Sequence, residues 1–311
     1  MTERPLLPPR LRRGDTIGLF CPAGPVRDVE RLRAGIRLIE DAGFTVKVRG
    51  PAEPGEGYLA DTDARRAEHL HGLWSDEEVG AIMAIRGGYG CLRMIERLDW
   101  DLFRRSPKFL VGFSDVTVLL NNLVDHAGLV AIHGPMAITL ARSGEPGLAS
   151  LFGLLTGEFE EAIKPKGMEI LRGGTGRGRL TGGNLTSLVH LLATPWDRPW
   201  DGGILVVEDT GEPLYRLDRM LTHLALAGRL ERLAGLLLGD FDTGGDDLAN
   251  LRLQEAVWSR VLELAPPGYP IWARFPAGHR ERNLALPIGM EAVMESASGT
   301  LRLLPDSVRR A

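Results

Sequence analysis

Three segments of the chain carry side chains that together could perform nucleophilic catalysis. Ser114 directly follows the apolar run 109–113 and precedes a helix-like segment, so it lies at a predicted strand-to-helix turn. A second apolar run leads into Glu208, and His279 lies after Ala-Gly on a predicted loop. A serine hydroxyl attacks a carbonyl efficiently only when a base takes its proton and an acid orients that base. The order serine, acid, histidine is one of those found in triad hydrolases.

Each of these residues also has a simpler explanation. The segment around Ser114 lacks the second glycine of a GxSxG motif, and a serine in this place can simply cap the following helix. Glu208 is followed by Asp209, and neighbouring strand residues point to opposite faces, so either carboxylate could be the acid. A lone histidine such as His279 is commonly a loop or packing residue, and His133, at a predicted strand end, is a rival base.

The segment Arg86-Gly-Gly-Tyr-Gly90 follows another apolar run and brings flexible backbone to a predicted strand end. Its spacing matches neither GxGxxG nor a P-loop. A serine hydrolase needs two N–H donors that face the oxygen on which negative charge develops. The N–H of Asp115 and one N–H from Gly87 or Gly88 are the candidate donors, and a plain tight turn is the alternative.

The elements that must hold Ser114 alternate between apolar runs and amphipathic segments from residue 15 to about residue 135. This alternation predicts a doubly wound, parallel-sheet α/β domain of the flavodoxin-like kind over residues 1–140. Ligands bind such sheets beyond the carboxyl ends of the strands, where Ser114 and the glycine-rich segment both fall. The predicted strands are 16–20, 45–48, 81–85, 109–111 and 130–132, and the predicted helices are 29–39, 64–74, 92–98 and 116–126.

Residues 141–178 do not show this alternation and are rich in glycine and charged residues, so they are predicted to be a linker region. Residues 179–311 predict a mixed α+β, strand-rich domain that carries Glu208 and His279. Because Ser114 lies in the first domain, we expect the active site to form only where the two domains meet. The predicted strands are 179–181, 204–207 and 233–238 with a closing β meander of 283–286, 290–295 and 301–304, and the predicted helices are 185–192 and 214–227.

Composition narrows the classes of partner. The chain has 311 residues, 44% of them hydrophobic, and a formal net charge of −4 from mixed acidic and basic residues, so no basic stripe predicts a nucleic-acid partner. No segment approaches the roughly 20 apolar residues of a membrane span, and the N-terminus lacks the apolar run of a signal peptide. Cys21 and Cys91 form no metal-ligand pattern. These features predict a cytoplasmic protein without a membrane partner.

Nine short motifs occur in order along the chain: Gly14-Asp-Thr-Ile, Pro22-Ala-Gly, Arg86-Gly-Gly-Tyr-Gly90, Gly112-Phe-Ser114-Asp115, Gly182-Gly-Asn-Leu185, Thr194-Pro-Trp196, Glu208-Asp209, Gly278-His279 and Leu286-Pro287. Together they resemble the motifs of the LD-carboxypeptidases, serine peptidases that trim murein tetrapeptides and include the microcin-C-resistance amidases. By this resemblance Ser114 is the nucleophile, His279 the general base and Glu208, rather than Asp209, the orienting acid. The resemblance also implies no metal, no cofactor and commonly a homodimer.

What the resemblance implies chemically is hydrolysis of the amide between an L-centre diamino acid, usually meso-diaminopimelate, and a terminal D-alanine during cell-wall recycling. A second hypothesis is an amidase of the same scaffold that acts on aminoacyl-nucleotide-like conjugates. A long aromatic-bearing loop would favour it, but segments 141–178 and 241–251 carry few aromatic residues. A third hypothesis, from a different class, is a two-domain small-molecule binding protein without chemistry.

Overall fold

The computed structural model describes residues 4–53 and 57–310, and these form two compact units. The first unit takes its described residues from Met1–Glu160, Leu284–Gly289 and Val308–Ala311, and the second comprises Glu161–Asn283 and Met290–Ser307. Both units are therefore built from more than one stretch of the chain.

The strands, in chain order, are β1 (Leu6–Leu7), β2 (Thr16–Phe20), β3 (Thr45–Val48), β4 (Val79–Ala84), β5 (Phe109–Gly112), β6 (Ala131–His133), β7 (Ala162–Ile163), β8 (Glu169–Arg172), β9 (Thr175–Asn184), β10 (Ile204–Thr210), β11 (Gly235–Asp242), β12 (Ile271–Ala273), β13 (Leu286–Ile288), β14 (Glu291–Glu295), β15 (Thr300–Leu304) and β16 (Arg309–Arg310).

The α-helices are α1 (Val29–Asp41), α2 (Asp63–Ser75), α3 (Cys91–Met94), α4 (Trp100–Arg105), α5 (Thr117–Asn122), α6 (Gly144–Thr156), α7 (Leu185–Leu191), α8 (Leu214–Leu226) and α9 (Asp247–Leu264). Short 3₁₀ segments follow α3, precede α5 and precede α6, at Ile95–Arg97, Ser114–Val116 and Ala137–Arg142, and the chain continues from α5 into a π-helical turn at Leu123–Ala127.

The first unit is organised around a six-stranded sheet in the order β13-β6-β5-β4-β2-β3. Strands β3, β2, β4, β5 and β6 run parallel, which gives the flavodoxin-like order, and β13 joins the β6 edge antiparallel. The inner strands are almost continuously apolar and buried, as expected of a parallel sheet covered on both faces. The predicted doubly wound α/β fold is confirmed.

Local signals explain the start of the flanking helices. The carboxylate of Asp28 accepts a hydrogen bond from the N–H of Arg31 and caps α1, and Thr62 caps α2 in the same way. Leu32 and Ile39, seven residues apart on α1, are buried on the face that packs in the core.

The second unit contains an eight-stranded sheet in the order β7-β15-β14-β9-β10-β11-β12-β8. Its centre, β9 to β12, is parallel, and the outer strands β14, β15, β7 and β8 are antiparallel. Helices α7, α8 and α9 connect the parallel strands, and their apolar faces share one core with β10 and β11. The strand-rich, mixed character predicted for this half is confirmed, with a parallel centre that the strand predictions did not resolve.

Several elements differ from the expectations. Segment 141–178 is not bare linker, because it contains α6, β7, β8 and the start of β9, and the boundary between the units falls at Glu160. The predicted closing β meander contains only two of its three strands, because the third, predicted at 283–286, corresponds to β13 and pairs with β6 of the first unit. The stretch 241–251 is largely the end of β11 and the start of the 18-residue helix α9.

Within the described part of the chain, no helix combines the length and apolar character that crossing a membrane requires.

Candidate active site

Ser114 stands at a sharp turn between β5 and the 3₁₀ segment Ser114–Val116. Its φ of 60° places it in the left-handed region, which is costly for a residue with a Cβ atom. Gly112 makes the turn possible, since a Cβ there would lie 2.7 Å from Cγ1 of Val116. A strained serine between a strand and a helix is the geometry of a nucleophile elbow. The predicted strand-to-helix turn is therefore present, and Phe113 rather than Ser114 occupies the cap position of the 3₁₀ segment.

The glycine-rich segment after β4 passes directly beside this serine. A Cβ on Gly87 would lie 2.9 Å from Cβ and 3.0 Å from Oγ of Ser114, so the backbone approaches the hydroxyl as closely as it does only because residue 87 is glycine. Gly88 has a φ of 127°, and a Cβ there would lie 3.1 Å from the nitrogen of Gly24. The candidate donor segment thus lies beside the candidate nucleophile.

Asp115, whose N–H is the other candidate donor, has a buried side chain. Its Oδ2 accepts a hydrogen bond of 2.8 Å from the N–H of Cys91, at the start of α3. Burial raises the pKa of the Asp115 carboxyl, although the hydrogen bonds from Cys91 oppose this. The side chain therefore joins the turn at Ser114 to the segment that follows Gly90.

Arg66 is a residue of this region that the sequence analysis missed. Its side chain is fully buried, and its guanidinium donates to the carbonyl oxygens of Pro22 and Gly90 and to the carboxylate of Asp63. It connects the loops after β2 and β4, the second of which carries Gly87. The one signal in the sequence is that Arg66 occupies a position that the helical pattern of 64–74 predicts to be buried.

Glu208 and His279 meet in the second unit. Nδ1 of His279 lies 2.7 Å from Oε2 of Glu208; the Glu208 side chain is 0% exposed and the His279 side chain 22% exposed. Because an ionised carboxylate only accepts hydrogen bonds, Nδ1 carries the proton and Nε2 is left to accept another. This is the acid–histidine arrangement that a triad requires.

The loop that carries His279 is fixed against this pair. Gly278 has a φ of 133°, and a Cβ there would lie 3.1 Å from Oε2 of Glu208. Burial acts to lower the pKa of His279, but the charge and hydrogen bond of Glu208 outweigh it, and the pKa lies above its usual value. The imidazolium that forms when His279 takes a proton is thereby stabilised.

Asp209, the alternative acid, has other partners. Its Oδ2 accepts from the N–H and the hydroxyl of Thr186 at 2.8 and 2.7 Å, and its Oδ1 accepts from Nδ2 of Asn184 at 3.2 Å. It therefore holds the start of α7 against β10. Burial and the charge of Glu208 raise its pKa to about 6, against the hydrogen bonds of Thr186.

Asp240 is a third carboxylate near the pair and was not predicted. The register between β10 and β11 shifts after Val207, so Gly239 and Asp240 together lie opposite Glu208. The N–H of Asp240 donates to the carbonyl of Ala277 in the histidine loop at 3.0 Å. Burial of this partly exposed carboxyl raises its pKa to about 7, and its charge contributes to the raised pKa of His279.

His133, the rival base, is fully buried in β6 and packs edge-on against the ring of Phe113 at a centroid distance of 6.0 Å. The structure thus brings Ser114, Gly87 and Asp115 together in the first unit, and Glu208 with His279 in the second. Across residues 4–53 and 57–310, no group of three or more His, Cys, Asp or Glu side chains is placed to hold a metal ion.

Comparisons with known proteins agree with this architecture. Residues 17–134 match the LD-carboxypeptidase N-terminal domain, and residues 177–294 match the LD-carboxypeptidase C-terminal domain. The murein tetrapeptide carboxypeptidase of Pseudomonas aeruginosa is 35% identical over 90% of this chain and 92% of its own. The microcin C7 self-immunity protein MccF of Escherichia coli is 26% identical over 93% of this chain and 94% of its own.

Among solved structures, the muramoyltetrapeptide carboxypeptidase from Oxalobacter formigenes superposes with a TM-score of 0.78 at 29% identity. The match covers 93% of this chain and 97% of that one. Both domain matches and a relative above 30% identity over nine-tenths of the sequence point the same way. The chain therefore belongs to the LD-carboxypeptidase family of serine peptidases.

Proposed function

We propose that this protein is a serine LD-carboxypeptidase that releases terminal D-alanine from murein tetrapeptides, cutting the amide after the L-centre of meso-diaminopimelate. The observation that carries the proposal is the 2.7 Å contact between the buried carboxylate of Glu208 and Nδ1 of His279. A histidine held in this way can act as general base for a serine. The 35% identical murein tetrapeptide carboxypeptidase of Pseudomonas aeruginosa supports the choice of substrate.

In the proposed mechanism, Oγ of Ser114 attacks the carbonyl carbon of the scissile amide while Nε2 of His279 takes its proton. The oxyanion of the tetrahedral intermediate accepts hydrogen bonds from the N–H of Asp115 and from that of Gly87 or Gly88. As the intermediate collapses, His279 gives the proton to the departing amine of D-alanine. Water then attacks the acyl-enzyme with His279 again as base, and the tripeptide leaves.

Glu208 stays ionised throughout this cycle and stabilises the imidazolium of His279. Asp209 serves a different purpose in the proposal, because its oxygens are occupied by Thr186 and Asn184 at the start of α7. The two neighbouring carboxylates therefore differ in role although they differ little in sequence setting.

The competing function is an amidase that acts on aminoacyl-nucleotide-like conjugates. MccF, the relative associated with it, is 26% identical, against 35% for the murein enzyme. The candidate segments for an aromatic cover are also short of aromatic side chains, and much of 141–178 is occupied by α6 and strands. We therefore favour the murein peptide, with a cytoplasmic role in cell-wall recycling and a homodimeric assembly as further parts of the proposal.

The test is mass-spectrometric detection of D-alanine from L-Ala-γ-D-Glu-meso-diaminopimelate-D-Ala. Wild type is expected to release it, and Ser114→Ala and His279→Ala to fall to background while remaining folded by circular dichroism. Near-wild-type release by Ser114→Ala would remove the mechanism. Absence of release by wild type, together with cleavage of an aminoacyl sulfamoyl nucleoside, would replace the murein substrate with the conjugate.

The same assay distinguishes the two acids. Glu208→Gln is expected to lower kcat by about 10³-fold or more, since a neutral amide neither fixes the tautomer of His279 nor stabilises its charge. Asp209→Asn should be milder, because Asp209 acts on α7 rather than on the imidazole. Equal losses in both variants would contradict this division of roles.

A further inference from the structure

The second unit has an open pocket of about 340 Å³ between α7 and α8 that the proposed mechanism does not use. One wall comes from α7 and the other from α8 together with the turn after β10. The polar residues that line it are Thr186, His190, Glu212, Arg216, Arg219 and His223.

The charges around this pocket favour an anion. Nη1 of Arg216 lies 3.4 Å from Oε2 of Glu212, so these two largely offset each other. Arg219 stacks over the ring of Tyr215 at 6.0 Å, and among the described residues it has no carboxylate within ion-pair distance. The pocket therefore carries one surplus positive charge at neutral pH, and its imidazoles can add more when protonated.

The pocket is connected to Asp209, at the carboxyl end of β10, through Thr186. The hydroxyl of Thr186 contacts Sδ of Met220 on α8 at 3.5 Å and donates to Asp209, the residue next to Glu208. Glu212, on the opposite wall, follows Glu208 by only four residues. The pocket thus lies at the carboxyl end of β10, on the face of the strand that carries Asp209, and ligands bind parallel sheets at this end.

We propose that this pocket is a carboxylate-binding subsite in which Arg219, supported by Arg216, holds a free carboxylate of the substrate on the acyl side of the scissile amide. The inference rests on the proposed function, because a murein tetrapeptide carries such carboxylates on its D-glutamate and its diaminopimelate. Guanidinium groups bind carboxylates in a planar, charge-assisted geometry. The volume suits one carboxylate-bearing arm of a peptide rather than a whole peptide.

The test measures binding of the tetrapeptide to Ser114→Ala protein by calorimetry, so that no turnover interferes. Adding Arg219→Gln should raise Kd about tenfold, the usual effect of losing one charge-assisted hydrogen bond. The Kd of the Ser114→Ala protein that also carries Arg216→Gln is measured in the same way, as a second test of the pocket. Arg232→Gln is the matched control, since it removes the same charge from an exposed arginine of the same unit that pairs with Asp201 and lies outside the pocket. Its Kd should stay within twofold.

Two amidated peptides identify the carboxylate. One peptide is amidated at D-glutamate and the other at diaminopimelate. The peptide that lacks the carboxylate held by Arg219 should bind the Ser114→Ala protein about tenfold more weakly. Adding Arg219→Gln should cause no further loss of affinity for that peptide. Inorganic phosphate tests the alternative that the pocket binds a free oxyanion rather than a carboxylate of the peptide. Phosphate that binds in an Arg219-dependent way without competing with the peptide would overturn the subsite.

The outcomes separate this inference from the proposed function. An unchanged Kd in both arginine variants, with D-alanine release by wild type, overturns the subsite and leaves the function standing. An Arg219-dependent Kd without any D-alanine release overturns the proposed reaction and leaves the subsite standing. Failure of the Ser114→Ala protein to bind the tetrapeptide overturns the subsite as well.

Discussion

Three carboxylates lie close together on β10 and β11, and their surroundings give each a different task. Glu208 is buried against His279, Asp209 receives the hydrogen bonds of Thr186 and Asn184, and Asp240 is partly exposed opposite Glu208. Residue type alone does not distinguish them. The distinction comes from the neighbours that each side chain meets, which only the fold provides.

Asp240→Asn is expected to stabilise the protein above neutral pH. The folded pKa of Asp240 is about 7, raised from 3.8 by burial, so the folded state holds this proton over a pH range in which the unfolded chain has lost it. The folded protein therefore loses stability as pH rises from about 4 to about 7, and the loss is complete above that range. Asparagine has no such proton. The full pKa shift corresponds to about 4 kcal/mol, and because the Asp240 carboxyl is partly exposed to solvent, the variant should gain about half of that at high pH and almost nothing at low pH.

Urea denaturation at about pH 4.5 and about pH 8 would measure this difference. Glu255→Gln, which neutralises an exposed carboxylate of α9 in the same unit, is the control and should show a small effect at both pH values. A larger gain for Asp240→Asn at the acidic pH would have the wrong sign and would refute the assignment.

At the scale of elements, the long apolar strands and amphipathic helices of the first unit could be predicted because their periodicity is strong. Strand β2 and strand β3 have the predicted bounds, and α1 and α2 extend only a residue or two beyond theirs. The three-residue strand β13 was placed in the wrong sheet, since a short apolar run carries no information about its partner. Helix α9 was missed although Asp246 caps it and Leu253, Val257 and Val261 follow at helical spacing.

The candidate site likewise contains features that local sequence predicts and features that depend on distant partners. The turn at Ser114 could be predicted from an apolar strand that ends in Gly-Phe-Ser, because sequence neighbours make that turn. The choice of Glu208 over Asp209 came from a family resemblance, and the contacts of Arg66 and Asp240 came only with the fold. Each of these residues has a partner at least 23 positions away, which local patterns do not reveal.

Arg66→Met tests how strongly one buried cation holds the loops around Ser114. The variant leaves the buried carbonyls of Pro22 and Gly90 without this partner and removes one of the two arginines that pair with Asp63. We expect the free energy of unfolding to fall by about 3–5 kcal/mol, measured by urea denaturation. Arg65→Met is the control, because Arg65 is exposed and pairs with Glu68 at the helix surface, and it should cost less than about 1 kcal/mol. Similar losses in both variants would contradict the role of Arg66.

At the scale of the whole molecule, each unit is assembled from separate parts of the chain. The chain passes from the second unit to the first after Asn283, only four residues beyond His279, and returns after Gly289. In the first unit, β13 covers the β6 edge, and the N–H of Ala285 donates to Oγ of Ser150 in α6 at 2.9 Å. The sheet that carries Ser114 is therefore incomplete without residues from the far end of the sequence.

A fragment of residues 1–160 is expected to be markedly less stable than the same fragment joined by a flexible linker to residues 284–291. Leu286 and Ile288 are buried in the complete unit, so losing β13 removes apolar burial and exposes an edge strand. Thermal unfolding followed by circular dichroism should show a Tm lower by about 10 °C or more for the shorter fragment. Equal melting temperatures would show that β13 contributes nothing to the stability of this sheet.

The late position of β13 also bears on how the protein is made. A ribosome synthesises β2 to β6 first, and it reaches β13 only about 150 residues after β6. Domains commonly fold as they emerge, in order from the N-terminus. Here the half that is synthesised first must wait until the chain has been made as far as β13 before its sheet is complete, so a nascent chain that ends before β13 would carry Ser114 on an unfinished scaffold.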